Sequence, residues 1–228
     1  MTARHFNWSF PPAECVLSAE EVHVWVADIE QDSQLINWAQ TLSPDEEARA
    51  ARFHFNRDRK NFTAARGILR AILSCYTKLD AEKICFEYNA NGKPSFSSAS
   101  QFGNLAFNLT HSGGLALYAI ARNRQLGIDL EPVRVLPDMD EIAMRCFLPE
   151  EQSILKFLNA PQKAENFFRC WTRKEAQLKC SGSGFSSTSV RENHFQGTLL
   201  ELAPAEGFLG ALAVQGQPFS LRTWQWRG

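Results

Sequence analysis

A shift of 105 positions lays one part of this 228-residue sequence on another: Pro44-Asp45-Glu46 falls on Pro149-Glu150-Glu151, and Asn61-Phe62 on Asn166-Phe167. The matched positions are few, but the order of elements around them agrees: a strand region, an acid-rich helix start, then a longer helix. A chain built twice on one plan folds as two similar halves, and a ligand site falls naturally between them. The expected fold class is therefore α+β, a pseudo-twofold pair of similar α+β halves, each with a small antiparallel sheet and a long helix. Residues 1–121 form the first half and 122–228 the second.

Local patterns fill in this plan. After an irregular arm containing Pro11-Pro12, Val22-His23-Val24-Trp25-Val26 alternates as a strand. Ser43 is placed to cap a helix that opens with Pro44 and the acids Asp45 and Glu46, which suit the positive end of its dipole. The apolar positions 62, 65, 69, 72, 73 and 76 have helical spacing. Asn91-Gly92 is turn chemistry, and Pro94 keeps Lys93 out of a helix, on a stiffened loop. Leu105–Leu109, Leu115–Ala121 and Leu126–Glu131 read as a three-stranded antiparallel meander, in which the first and third strands run the same way. A helix over Ala164–Lys179 stops at Ser181-Gly182-Ser183-Gly184, and the tail from Ser187 onward alternates as further strands.

Three patterns carry chemistry. In Leu126-Gly127-Ile128-Asp129-Leu130-Glu131 the apolar residues share one face and the carboxylates the other, about 7 Å apart along the strand. Two acids so placed can share a divalent cation, or can simply end a strand ahead of Pro132. The meander brings Asn108, Thr110 and His111 to the edge these acids reach. Between Arg49 and Arg70 stand seven Lys or Arg against the single acid Asp58, either a solvated helix face or a phosphate clamp. Glu175 and Lys179 lie one helical turn apart, an arrangement shared by surface ion pairs and by active sites.

Composition removes several classes. A net charge of −1 excludes bulk nucleic-acid binding, which needs net phosphate neutralisation. No run is long and apolar enough for a membrane span, and no secretory leader pattern opens the sequence. Six cysteines without a Cys-x-x-Cys pair fit neither a zinc site nor a disulfide scaffold; most are expected to be buried thiols in a reducing, cytoplasmic compartment. The phosphate-binding pattern G-x-x-x-x-G-K-[ST] is absent, which argues against a magnesium-dependent nucleotide hydrolase.

In order and spacing, Leu42 through Arg49, Arg52-Phe53, Ala65-Arg66, Gly92-Lys93-Pro94, Phe107 through Ser112, Gly127 through Glu131, Phe147 through Glu151 and Trp171-Thr172-Arg173-Lys174-Glu175-Ala176-Gln177-Leu178-Lys179 form one set. This set resembles the Sfp-type 4′-phosphopantetheinyl transferases, which activate acyl and peptidyl carrier proteins. Thr110 stands where many relatives have Ser, and Leu130 where Ile is common. No motif matches before Leu42 or after Gly184.

The resemblance implies two α+β halves with coenzyme A in the cleft between them. It implies Asp129, Glu131 and Glu175 as Mg²⁺ ligands, and Arg49, Lys93, Asn108, Thr110 and His111 as contacts for coenzyme A, chiefly its 3′-phosphate and adenine end. Lys174 and Lys179 match positions near the pyrophosphate. A carrier serine would attack the β-phosphate and release 3′,5′-ADP, with Glu175, or second Glu151, as base and Lys179 on the departing phosphate. The partner is an acyl or peptidyl carrier protein, expected on Val133–Phe147, where apolar residues mix with Arg134 and Arg145. A pseudo-dimer has little need to dimerise, so the expected state is a monomer.

Overall fold

The computed structural model describes residues 6–31, 35–184 and 195–227. The first half contributes β1 (Glu21–Asp28), α1 (Leu35–Thr41), α2 (Pro44–Ala51), α3 (Asn56–Thr77), β2 (Glu87–Tyr88), β3 (Pro94–Ser95), β4 (Leu105–Ser112) and β5 (Leu115–Arg122). The second contributes β6 (Leu126–Pro132), α4 (Met139–Cys146), α5 (Pro149–Leu155), α6 (Ala160–Ser181), β7 (Thr198–Leu202), β8 (Phe208–Val214) and β9 (Ser220–Gln225). The repeat in the sequence is a repeat in the fold. Proline opens both α2 and α5, and α3 and α6 are each 22 residues long. Both long helices end on a left-handed residue, Lys78 and Gly182.

Alternation along the strands builds four layers. Trp25 and Ala27 of β1, with Tyr118 and Ile120 of β5, meet Ile68, Leu69, Ile72 and Leu73 of α3. Val22, Val24 and Val26, on the opposite face of β1, meet Leu126, Ile128 and Leu130 of β6 and Leu212 of β8. Ala211 and Ala213 of β8 then receive Ala176 and Cys180 of α6. The order is thus helix, sheet, sheet, helix, with each fully buried Val, Leu or Ile contributing about 1.5–3 kcal/mol. The residues from Ser187 to 194 lie outside the described ones; beyond them the tail forms β7, β8 and β9 as its alternation predicts.

Three sequence expectations need correction. The meander does not continue into β6: the first sheet has the order β4-β5-β1-β9, while β6 begins a second sheet of order β6-β8-β7. The reason is that β6 is buried on both faces. Its Leu126, Ile128 and Leu130 are used in sheet-on-sheet packing, and Gly127 lies against α6. Asn123, at φ 55°, turns the chain out of the first sheet. The first sheet is also not purely antiparallel, because β9 joins β1 in parallel. Nor are most of the cysteines buried: Cys146 and Cys180 are, Cys85 is exposed, the others are intermediate, and all six are free thiols.

Candidate active site

A cleft of about 390 Å³ lies where the halves meet. Its first wall comes from α2 and α3. Ser43 begins α2 as expected, its backbone N–H donating to Glu46 Oε2 at 3.2 Å. Glu46 is 1% exposed and turns toward α3, where Arg70 Nε donates to its Oε2 at 2.7 Å and Arg66 lies 3.8 Å from its Oε1. Arg70 also donates to the carbonyls of Ala81 and Ile84. This buried cluster fixes α2 on α3 and so brings the guanidinium of Arg49 over the Phe62 ring beside that of Arg66.

The basic run is therefore neither wholly a solvated face nor wholly a clamp. Arg70 is internal structure, whereas Arg49 and Arg66 line the cleft. Arg66 is 5% exposed, and its Nη1 has no hydrogen-bond partner. Burial holds its pKa below the usual arginine value. Sequence reading missed Arg66 as a site residue; the available signal was the unusual density of cations beside Phe62.

The second wall is the end of β4 against β6. Although these strands share no backbone ladder, their side chains bridge them. Asn108 Oδ1 accepts from the Ile128 N–H at 2.8 Å, Thr110 Oγ1 donates to Asp129 Oδ1 at 3.3 Å, and Ser112 Oγ donates to Glu131 Oε2 at 2.8 Å. Of the three residues expected beside the acids, Thr110 meets Asp129 and Asn108 reaches the Ile128 backbone, by a different route from the meander. Asn108, Thr110 and His111 line the cleft. His111 opens to solvent, yet crowding by the cleft walls, then the cations of Lys179, Arg66 and Arg49, push its imidazole below the ordinary value.

The third wall is α6. Gly127 permits its close approach: a Cβ there would lie 2.2 Å from the Ala176 carbonyl oxygen and 2.3 Å from the Cys180 nitrogen. This contact brings Lys179 Nζ to 2.6 Å from Asp129 Oδ1 and 3.2 Å from Thr110 Oγ1. Glu175 lines the cleft one turn earlier. Burial, then the charges of Asp129 and Glu131, raises the Glu175 pKa; burial raises that of Asp129, which Lys179 partly offsets.

Lys93 lines the cleft, and its ammonium is engaged by the carbonyls of Leu126 and Cys180. Lys174 is not brought to the cleft; it pairs with Glu151 at 2.9 Å and faces the Phe147 ring. Glu151 also accepts from the Leu148 N–H, so it holds the start of α5. Of the segment Val133–Phe147, Met139, Ala143, Cys146 and Phe147 are core, while Val135 and Met144 are exposed.

Asp129 Oδ2 is buried without a partner, and beside the effect of burial the charge of Glu131 raises the pKa of Asp129 while the charges of Asp129 and Glu131 raise that of Glu175, which fits a place for a divalent cation. Among the described residues no three His, Cys, Asp or Glu side chains converge on one point. Magnesium needs fewer, since it is commonly held by one or two carboxylates with substrate phosphates and water.

Two family models divide the chain much as the fold does: "4′-phosphopantetheinyl transferase, N-terminal" over residues 29–123, and "4′-phosphopantetheinyl transferase superfamily" over 125–210. The 4′-phosphopantetheinyl transferase HetI of Nostoc sp. is 40% identical over 233 residues, covering 96% of this chain and 98% of HetI. This chain belongs to the 4′-phosphopantetheinyl transferase superfamily. It is a transferase enzyme of that family. Another relative is 4′-phosphopantetheinyl transferase Sfp of Bacillus subtilis, 29% identical over 154 residues and 66% of each chain. A third is the human L-aminoadipate-semialdehyde dehydrogenase-phosphopantetheinyl transferase, 28% identical over 63% of this chain and 49% of that protein. Among the described residues no helix is long and apolar enough to cross a membrane.

Proposed function

We propose that this transferase moves 4′-phosphopantetheine from coenzyme A to a serine of an acyl or peptidyl carrier protein and releases 3′,5′-ADP. The observation that supports this best is the opposition of two kinds of wall across one cleft, Arg49, Arg66 and His111 facing Glu175 and Lys179. In this reading residues 1–121 hold the cofactor's nucleotide end and residues 122–228 carry the acids. Arg49 and Arg66 grip the 3′-phosphate through charge-assisted hydrogen bonds, with His111 beside them. Asn108 and Thr110 hold β4 against β6, so that the phosphate grip and the acids keep a fixed separation.

At the reacting end, Asp129 and Glu175 would hold Mg²⁺, with Glu131 behind them on Ser112 and Arg134; the ion neutralises pyrophosphate charge when bound. Glu175, its carboxyl raised by burial, accepts the proton of the attacking serine. The serine oxygen forms a bond to the β-phosphorus as the bond from that phosphorus to the bridging oxygen breaks. Lys179 stabilises the departing phosphate. The carrier docks on residues 133–147, so Arg145→Glu raises KM for carrier and leaves that for coenzyme A unchanged. The reaction runs in the cytoplasm on a single chain, whose two halves supply both walls.

The test is to incubate the protein with coenzyme A, Mg²⁺ and an apo carrier, with and without a chelator, and to weigh the carrier. A gain of phosphopantetheine that the chelator abolishes is the expected result; nucleotide breakdown with an unmodified carrier refutes the proposal.

A further inference from the structure

The loop Asn89–Lys93 belongs to the first half, yet its polar side chains end on the second. Asn89 Nδ2 and Asn91 Nδ2 both donate to the Gly182 carbonyl, at 3.2 and 2.7 Å. Lys93 Nζ donates to the Cys180 carbonyl at 3.2 Å and to that of Leu126, the first residue of β6, at 3.1 Å. The last carbonyls of an α-helix have no partner within the helix, and a cation there meets the negative end of the helix dipole. Here the missing partners come from across the cleft.

The loop is shaped for this task. Asn89 Oδ1 accepts from the N–H groups of Asn91 and Lys93, which closes a tight turn around Gly92 at φ +77°. Gly182 and Gly184 leave the room these asparagines need: a Cβ would come within 2.9 Å of Asn89 Nδ2 at the first and 2.6 Å of Asn91 Oδ1 at the second.

What the loop clasps is the junction that aligns the chemistry. Gly127 follows Leu126 and meets the backbone of Ala176 and Cys180. Lys179, the residue before Lys93's contact at Cys180, and Glu175, one turn earlier, face the acids of β6. We propose that the loop Asn89–Lys93 is a helix cap supplied across the cleft, and that Lys93 is a positioning residue that sets α6 on β6 rather than a phosphate ligand. Because Gly92 and Pro94 line the cleft beside it, the same loop ties occupation of the nucleotide end to the placement of Glu175 and Lys179. The kinetic part of this proposal rests on the transfer reaction proposed above.

Lys93→Met keeps the stem and removes the donor; Asn91→Ala removes one exposed contact of the clasp and leaves the cores untouched. Both variants should exchange amide hydrogens faster in residues 176–184, and kcat should fall about tenfold or more while KM for coenzyme A stays within about twofold. Lys93→Arg, which can still reach carbonyls, should recover part of the rate. A raised KM with unchanged kcat would make Lys93 a direct cofactor ligand and overturn the proposal. Unchanged exchange in residues 176–184 for Asn91→Ala and Lys93→Met would overturn it as well. If the wild-type chain failed to transfer at all, the reaction proposed above would fall, and the exchange measurement would still decide whether the clasp exists.

Discussion

Lys179 Nζ and Asp129 Oδ1, 2.6 Å apart, join the last turn of α6 to the middle of β6. Asp129 is 4% exposed, so removing the ammonium alone strands a carboxylate in the interior. Loss of one partner from a buried pair costs about 3–5 kcal/mol, and somewhat less where one partner reaches solvent, as Lys179 does. Lys179→Met should therefore lower unfolding stability by about 2–3 kcal/mol. The double variant Asp129→Asn, Lys179→Met should regain most of this without regaining transfer. Urea unfolding of the single and double variants checks it, and additive losses would mean that the pair is not coupled.

The pH dependence of stability should carry the signature of His23. This residue is 3% exposed, with Nδ1 2.7 Å from the Tyr76 hydroxyl. Burial lowers its pKa from 6.5 to about 4, opposed by Glu21 and aided by Arg222. A depressed folded value means that the stabilisation is present above the unfolded value of 6.5 and is lost as pH falls toward about 4. The full loss corresponds to about 3 kcal/mol. Urea midpoints measured across this window should fall more steeply for the wild type than for His23→Gln; parallel curves would contradict a buried neutral imidazole.

Much of the architecture could be read from the sequence because it is written in local rules. Pro44 with Ser43, Pro149, and Gly182 are helix boundary signals that depend on a few neighbours, and the repeat made the two long helices equivalent. What escaped was decided by distant packing. Alternation in β6 predicts a strand but not its sheet, since Leu126, Ile128 and Leu130 suit a ladder beside β5 as well as a face laid across β1. Likewise Arg66 and Arg70 are the same residue type four positions apart. Only distant packing distinguishes them: Arg70 is held by Glu46 and by the carbonyls of Ala81 and Ile84, whereas Arg66 stands farther from Glu46 and lines the cleft.

Discrimination between coenzyme A and 3′-dephospho-coenzyme A should depend on Arg49 and Arg66. A charge-assisted hydrogen bond contributes about 1.5–3 kcal/mol, so Arg49→Ala should erase roughly ten- to a hundredfold of the preference for coenzyme A. Arg66→Lys, which keeps the charge beside Glu46 but loses the fork, should have a smaller effect in the same direction. Specificity ratios for the two substrates provide the measurement, and an unchanged ratio in both variants would remove these residues from the 3′-phosphate site.

Gly127→Ala tests the seating of α6 directly. The added methyl group would meet backbone atoms of Ala176, Lys179 and Cys180, none of which can rotate away. Overpacking of this kind costs about 1–3 kcal/mol. Because the displaced elements carry Asp129 and Lys179, transfer should fall further than stability does. Thermal unfolding and steady-state rates on the same preparation check this; full activity with normal stability would show that α6 has room to shift.

The parallel pairing of β1 with β9 joins residues near 21 to residues near 220. A ribosome therefore releases β1 long before the strand that completes its edge exists, and until then Val22, Val24 and Val26 also lack their cover from β6 and β8. The first half can collapse around α3 during synthesis, but its sheet is finished only when nearly the whole chain has emerged. Expression of residues 1–121 alone should consequently yield a product with an open strand edge and an uncovered apolar face, prone to pairing with other copies of itself.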